Sequence, residues 1–468
     1  MQPRLSQSHA QLGPEFFDVV APAQFPAHVL RHRNQQWAER VGLGTLTDAE
    51  WIRHFGQFEP LPGSFPQPLA LRYHGHQFRH YNADLGDGRG FLFAQLHDLR
   101  DGRLLDLATK GSGQTPWSRT ADGRLTLKGG VREVLATAML AALGVDTSKS
   151  FSLIETGEAL HRGDEPSPTR GAVLVRLSHS HIRIGSFQRL AFLHDVDNTT
   201  RLLDYSIHTY MPEVWRDDVA GRAATFLAEV ARRVARTGAA WMVAGFVHGV
   251  LNTDNINITG ESFDYGPWRF LPTFDPEFTA AYFDHNGLYA YGRQPGTLLW
   301  NLIRLAECLL PLAPQAALEA ALDAMKPDYD HALEQALLWR LGLMPGEADA
   351  ALAAAWWRFL HESQVGFDRA MFDWRGGLAS EARAASSPAA AAYASEAFAP
   401  VRAALAHFAS VPGALDHAYW SDPGPCTMLV PDVEGLWAPI AEADDWSALT
   451  AKLARVERMG EAHRGGRA

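Results

Sequence analysis

His248-Gly-Val-Leu-Asn252-Thr-Asp254-Asn255-Ile-Asn-Ile-Thr-Gly-Glu-Ser-Phe-Asp264-Tyr265-Gly266 is the stretch on which the fold turns. Asn255 and Asp264 are hard oxygen donors, the type that suits Mg2+ or Mn2+. An ion between them would bridge phosphate oxygens and neutralise their charge. Asn alone is a common turn residue, so the reading rests on the Asp264-Tyr265-Gly266 triplet that follows it. Asp254 is a candidate base, placed to take a proton from an attacking hydroxyl. Its alternative role is to orient Asn255.

Reading outward toward the N-terminus adds the parts of a nucleotide site. Gly86, Gly88 and Gly90 form a loop whose backbone N–H groups can approach phosphate oxygens, with Arg89 adding a cation. The segments 91–96 and 104–109 read as strands joined at the Asp101-Gly102 turn, and the second ends on Lys110. A polar loop through Arg119, Asp122, Gly123 and Arg124 leads to a helix expected over 131–143, with Glu133 in its first turn. Paired with Glu133, Lys110 would be fixed on the phosphates; unpaired, Glu133 simply favours the helix N-terminus. Arg176, on a strand over 172–177, and Arg183 are candidate phosphate clamps. A helix over 220–240 runs into the His248 segment, and residues 256–263 are expected to form a short hairpin carrying Asp264.

This order of parts is that of a protein-kinase-like fold: glycine loop, strand, lysine strand, glutamate helix, long helix, metal loop and D-x-G. Asn255 falls where the kinase pattern H-R-D-x-x-x-x-N has its metal-binding Asn, and Asp264-Tyr-Gly stands for D-F-G. Val250 occupies the position of the usual catalytic Asp, so ordinary γ-phosphoryl transfer lacks its base. The expected class is therefore α/β (α+β), a two-lobed kinase-like fold with an N-terminal extension and a helical C-terminal elaboration. The expected division is 1–70 wrapping the core, 71–190 as the nucleotide-binding lobe, 191–320 as the helical lobe and 321–468 as a helical C-terminal region.

The totals narrow the rest. With 468 residues and 47% hydrophobic content, the chain can bury a large core. A net charge of −11 argues against a surface that coats nucleic acid. Cys308 and Cys426 are the only cysteines, too few for a disulfide scaffold. No stretch reaches the ~20 apolar residues of a membrane span, and the N-terminus lacks a signal-peptide core. A soluble, cytoplasmic protein is expected. The histidines of the His74–His80 run, with His179 and His181, lack the spacing of a zinc motif. The Ala-rich stretch 378–400 reads as a mobile connection.

Several segments together resemble the selenoprotein O (SelO, also YdiU) family of protein adenylyltransferases. They are GHQF at 75–78, LGDGR at 85–89, KGSGQTPWSR at 110–119, DGR at 122–124, REVL at 132–135, ETGE at 155–158, LVRLSHSHIRIGSF at 174–187, HGVLNTDN at 248–255, DYGP at 264–267, FDP at 274–276 and LWNLIRLA at 299–306. The resemblance implies a pseudokinase fold that binds ATP reversed, so that the α-phosphate faces the acceptor. AMP then passes to Ser, Thr or Tyr hydroxyls of proteins, the enzyme itself included, and pyrophosphate leaves; UMP transfer from UTP with Mn2+ is a further implied activity. It implies Asp254 as proton acceptor and Asn255 and Asp264 as metal ligands. It also implies nucleotide contacts from Gly86, Gly88, Arg89, Lys110, Asp122, Gly123, Arg176, Arg183 and Asp264, and Glu133 as the partner of Lys110. No nucleic-acid or membrane partner is implied. The chain departs from the pattern at Arg79-His80, where the family continues GHQF with Gly, at Asp84, and in a tail without Cys. Two rival classes are a small-molecule phosphotransferase of kinase-like fold and a non-catalytic, nucleotide-binding pseudokinase.

Overall fold

A nine-stranded antiparallel sheet organises the first 180 residues in the computed structural model, which describes residues 2–163 and 165–465. Its main path runs Phe17–Val19, Leu69–Leu71, Leu92–His97, Leu104–Lys110, Thr169–Ser178, Lys149–Leu160, Val29–Arg33. Leu5–Ser6 pairs with Leu92–His97, and Leu125–Thr126 pairs with Thr169–Ser178. The first seventy residues thus supply both edges of the sheet. The fold class is α+β.

Register explains how the sheet aims its charges. Lys110 pairs with Leu174, and Ala108 pairs with Arg176. Alternate residues of a strand share a face, so Lys110 and Arg176 emerge on the same side. The lysine strand Leu104–Lys110 is buried at every position, as expected of a strand covered on both faces. The turn before it closes at Gly102, whose φ of +80° suits glycine.

One face of the sheet carries the helix Leu127–Ala142. It starts four residues ahead of the expected 131 because Thr126 caps it, accepting from Gly129 N at 3.1 Å. Glu133 consequently lies in its second turn. Val131, Val134, Leu135, Met139 and Leu140 bury the helix in the main core. The other face is filled by aromatic side chains, among them Trp51, Phe55, Phe58, Phe91, Phe93 and Phe151. Trp51 and Phe55 reach it from the helix Asp48–Phe55, which a Thr47/Glu50 capping box begins.

The helical body follows, and its long element is Val219–Ala244. Gly245, at φ +66°, ends that helix and turns the chain directly into the His248 segment. The last helix, Ser447–Arg464, returns to the glutamate helix, so close that a Cβ on Gly460 would stand 3.2 Å from Ala142.

Two local expectations fail. Residues 256–263 form no two-stranded ladder with each other; they close a turn in which Gly260 N donates to Asn257 O at 2.9 Å. Ile184 N donates to Ile256 O (3.0 Å) and Ile258 N to Ile182 O (3.1 Å), while Ser262 N donates to Asp146 O (2.9 Å) and Ser148 N to Ser262 O (2.8 Å). Each arm of the loop finds a different partner near the sheet. The stretch 378–400 is not a loose connection either. It forms the short helices Glu381–Ser386 and Ala390–Tyr393. Tyr393 and Phe398 are buried against Trp374 and Phe359, and Tyr393 OH donates to Asp373 Oδ2 at 2.8 Å.

Among the described residues no helix is long and apolar enough to cross a membrane. Cys308 and Cys426 are free, buried thiols.

Candidate active site

Lys110 is the hub of the site. Its Nζ donates to Glu133 Oε1 and, at 2.8 Å, to Asp264 Oδ1. Both Lys110 and Glu133 are buried. The lysine strand, the glutamate helix and the D-Y-G loop therefore meet at one ammonium. Arg176 Nη1 donates to the same Asp264 Oδ1 at 3.0 Å, as the strand register requires. Breaking one partner of a buried pair of this kind costs about 3–5 kcal/mol, because a charge is left unmatched.

Asp264 sits at φ +66°, a left-handed conformation that Asp tolerates better than most residues. Burial pushes its pKa up, but Lys110, Arg176 and Arg183 outweigh burial and hold it well below the usual carboxylate range. Asp264 is anionic at any working pH. Its second oxygen accepts from Asn255 Nδ2 at 3.1 Å. Asn255 Oδ1, turned the other way, is buried and accepts nothing from the described residues; Asp254 Oδ1 is in the same condition. Orphaned buried oxygens are uncommon and call for an explanation. Asn255 Oδ1 and the Asp264 carboxylate make a pair of hard donors that fits a divalent, oxygen-seeking cation, which leaves Asp254 Oδ1 free.

Asp254 differs from Asp264 in its surroundings. Burial raises its pKa to about 7, opposed by Arg183 and reinforced by the charge of Asp264. A carboxyl poised there can accept a proton near neutral pH. Its neighbours are set by Asn252, which sequence reasoning passed over. Asn252 Oδ1 accepts from Phe78 N (3.0 Å) and Tyr289 OH (2.7 Å), and Thr253 Oγ1 accepts from His76 N (2.7 Å). The GHQF segment is thereby bonded to the candidate base loop, and its spacing from that loop gave no hint of the contact. His248, buried and held below the usual histidine range by burial, donates from Nε2 to Phe263 O at 3.1 Å and so braces the residue before Asp264. Val250 has only an aliphatic side chain to offer at this loop.

The remaining site residues are arranged more loosely. Arg183 is buried, donates to Asp87 Oδ1 at 3.1 Å and lies over the Tyr73 ring at 4.2 Å. Asp87, within the glycine loop, was not anticipated; it also accepts from Leu71 N at 3.0 Å. The missing side chains at Gly86, Gly88 and Gly90 face protein: a Cβ would run into the Trp117 ring, the Trp117 carbonyl and the Thr109 carbonyl respectively. Close packing under the loop thus accounts for these three glycines. Arg89 is exposed, and its carbonyl accepts from Gly111 N (2.6 Å) and Ser112 N (3.2 Å), linking the glycine loop to the loop after Lys110. Asp122 accepts two bonds from Arg162, at 2.8 and 3.1 Å, and Gly123, at φ +70°, lies against Gly113. Arg124 is engaged by Glu158 at 2.8 Å. The histidines are dispersed: His74 Nδ1 meets Tyr81 OH (2.8 Å), His76 Nδ1 meets Gln188 Nε2 (2.7 Å), and His181 lies beside Asp106 (3.6 Å).

The family model described as protein adenylyltransferase SelO matches residues 2–457. Proteins named protein nucleotidyltransferase YdiU are similar along most of their length. That of Gloeobacter violaceus is 44% identical over 471 residues, 96% of this chain and 94% of its own. That of Trichodesmium erythraeum is 48% identical over 367 residues, 76% of each chain. That of Synechocystis sp. is 53% identical over 323 residues, 68% of this chain and 66% of its own. A nucleotidyltransferase by reaction class, the chain belongs to the SelO family of protein adenylyltransferases.

Proposed function

We propose that this enzyme transfers AMP from ATP to Ser, Thr or Tyr hydroxyls of proteins, itself included, with release of pyrophosphate, and that UTP serves as a second donor. The observation that carries the reading is Asp254: a carboxyl with a free buried oxygen beside Asn255 and Asp264, in a loop where Val250 replaces the kinase base. Asp254 Oδ1 takes the proton of the acceptor hydroxyl as its oxygen bonds to the α-phosphorus. The bond from that phosphorus to the bridging oxygen breaks, and pyrophosphate leaves with the electron pair. A pKa near 7 suits this role, since the base is available at neutral pH and still basic enough to be useful.

Asn255 and Asp264 would hold Mg2+ or Mn2+, whose contribution there is to neutralise charge on phosphate oxygens. Lys110 and Arg176, now balanced by Asp264, are the cations that would stabilise the departing pyrophosphate. Arg183, Arg89, Asp122 and the loop of Gly86, Gly88 and Gly123 line the path toward the rest of the nucleotide in this reading. Glu133 keeps Lys110 in place.

The test is which phosphate stays on the acceptor. Incubation with ATP labelled at the α or the γ position, followed by intact-mass analysis of the enzyme, should give α-label and a gain of one adenylate. Label from the γ position alone, with a gain of one phosphate, would make the protein a phosphotransferase. Nucleotide binding without any label transfer would make it a non-catalytic pseudokinase.

A further inference from the structure

The hairpin of Gly75–Gln77 and His80–Asn82 closes through two residues, Phe78 and Arg79, with φ of +48° and +65°. Such turns are ordinarily filled by Asn and Gly, because a side chain at positive φ is strained. Strain of this kind persists only where its surroundings impose it, and it collects at functional sites. Here the surroundings are the candidate base loop. Phe78 N is bonded to Asn252 Oδ1 at 3.0 Å and to Tyr289 OH at 3.2 Å. A Cβ on Gly75 would stand 3.1 Å from Asp254 Oδ1.

The turn holds Arg79 out into solvent at the tip of the same hairpin, one residue past the Phe78 N–Asn252 bond. Among the described residues Arg79 has no ion pair or hydrogen bond; its guanidinium rests over the Trp300 ring at 5.5 Å. Arg304, over the same ring at 4.9 Å, is already neutralised by Glu307 at 2.7 Å. Phe78 leads on to Phe283, their centroids 5.9 Å apart, and Phe283 meets Tyr282 at 5.1 Å. Tyr282 is 73% exposed and Phe283 43%. Arginine and large aromatic rings are the residue types that anchor protein–protein contacts, and here they follow one another from the turn that is bonded to the base loop.

We propose that this edge recognises the protein acceptor as an extended segment bearing Asp or Glu close to the hydroxyl to be modified. Arg79 pairs with that carboxylate through its planar fork, and an apolar neighbour of the hydroxyl lies on Phe283 and Tyr282. The inference rests on Asp254 as the base that faces the acceptor.

The experiment measures transfer from α-labelled ATP to serine peptides of one core sequence carrying Glu, Gln or Lys beside the hydroxyl. The wild-type enzyme should prefer Glu over Lys by tenfold or more in kcat/KM, with the difference in KM. Arg79→Glu should invert the order. Arg79→Gly, which fits the turn and relieves its strain, should erase the preference while leaving kcat within about twofold. Tyr282→Ala with Phe283→Ala should raise KM for all three peptides alike. An unchanged Glu-to-Lys ratio in both Arg79 variants would overturn the assignment and leave nucleotidyl transfer standing. Wild-type enzyme that labels no peptide and no protein from the α position would bring down the transfer reading and this one with it.

Discussion

Replacing Asp254 by Asn should inactivate the enzyme and stabilise it in the same stroke. The amide keeps the shape of the side chain and removes its basicity. Loss of a positioned general base costs about 10²–10⁴-fold in rate, so kcat for labelling from α-labelled ATP should fall by that amount while nucleotide affinity stays within a few fold. The stability effect follows from burial. The folded protein holds the Asp254 pKa near 7, against 3.8 ordinarily. Its contribution to stability is complete below pH 4 and is lost as the pH rises through about 7. At pH 8 the metal-free enzyme therefore carries an ionised carboxylate at a cost of about 2–4 kcal/mol, reduced from the full shift because the residue is half-buried. The Asn variant escapes that cost. For a chain of this length about 1 kcal/mol moves Tm by roughly 1 °C, so a gain of about 2–4 °C is expected at pH 8 in chelator, shrinking to nothing near pH 4. Scanning calorimetry at both pH values, beside the labelling assay, reads the two effects separately. A variant that keeps more than a tenth of wild-type kcat, or that melts several degrees below wild type at pH 8, would show that Asp254 is a structural residue and that the proton goes elsewhere.

Glu133→Gln should strip Lys110 of its buried partner; a loss of about 3–5 kcal/mol in denaturant unfolding and a raised KM for ATP are expected, whereas an unchanged midpoint would mean that Asp264 alone suffices to hold the ammonium. Glu261 is buried, accepts from His179 N at 2.7 Å and has its pKa pushed up to about 7, chiefly by burial. Its contribution to stability is full below the ordinary 4.5 and is lost as the pH climbs through 7, so Glu261→Gln should stabilise by up to about 3 kcal/mol at pH 8 and by almost nothing at pH 4.5; equal effects at both values would contradict the burial. Burial pushes the Cys308 thiol up to about 12 and raises that of Cys426 as well. Neither should react with a thiol reagent in the folded enzyme, both should react after denaturation, and fast labelling of the native protein would be inconsistent with this packing.

The pairing of Lys110 with Glu133 was legible because each part carries a local signature. A strand ending on Lys110, a Gly-punctuated turn and a helix with Glu133 can all be recognised from neighbours in sequence, and the fold then brings the two charges together. What escaped was decided by distant partners. Nothing near Phe17–Val19 or Val29–Arg33 announces that they form opposite edges of one sheet. The arms of 256–263 looked like a hairpin because they are apolar and flank a Gly turn, yet their bonds go to Ile182, Ile184, Asp146 and Ser148. The 378–400 stretch was misjudged from its alanines, when Tyr393 and Phe398 decide its fate by burial. Asn252, Tyr289 and Asp87 were missed for the same reason: an amide, a phenol and a carboxylate gain meaning only from what stands across from them.

The split docking of the 256–262 loop bears on how firmly the Asp264 carboxylate keeps its place. Four backbone hydrogen bonds tie it to the chain that follows the Arg176 strand and to the chain that leads into the neighbouring strand Lys149–Leu160, each worth about 1 kcal/mol net, and Asn257 adds a side-chain bond to Ser180 O. A rotation of the helical body against the sheet would have to break these bonds together, so the segment that ends on Asp264 keeps one fixed distance from Lys110 and Arg176.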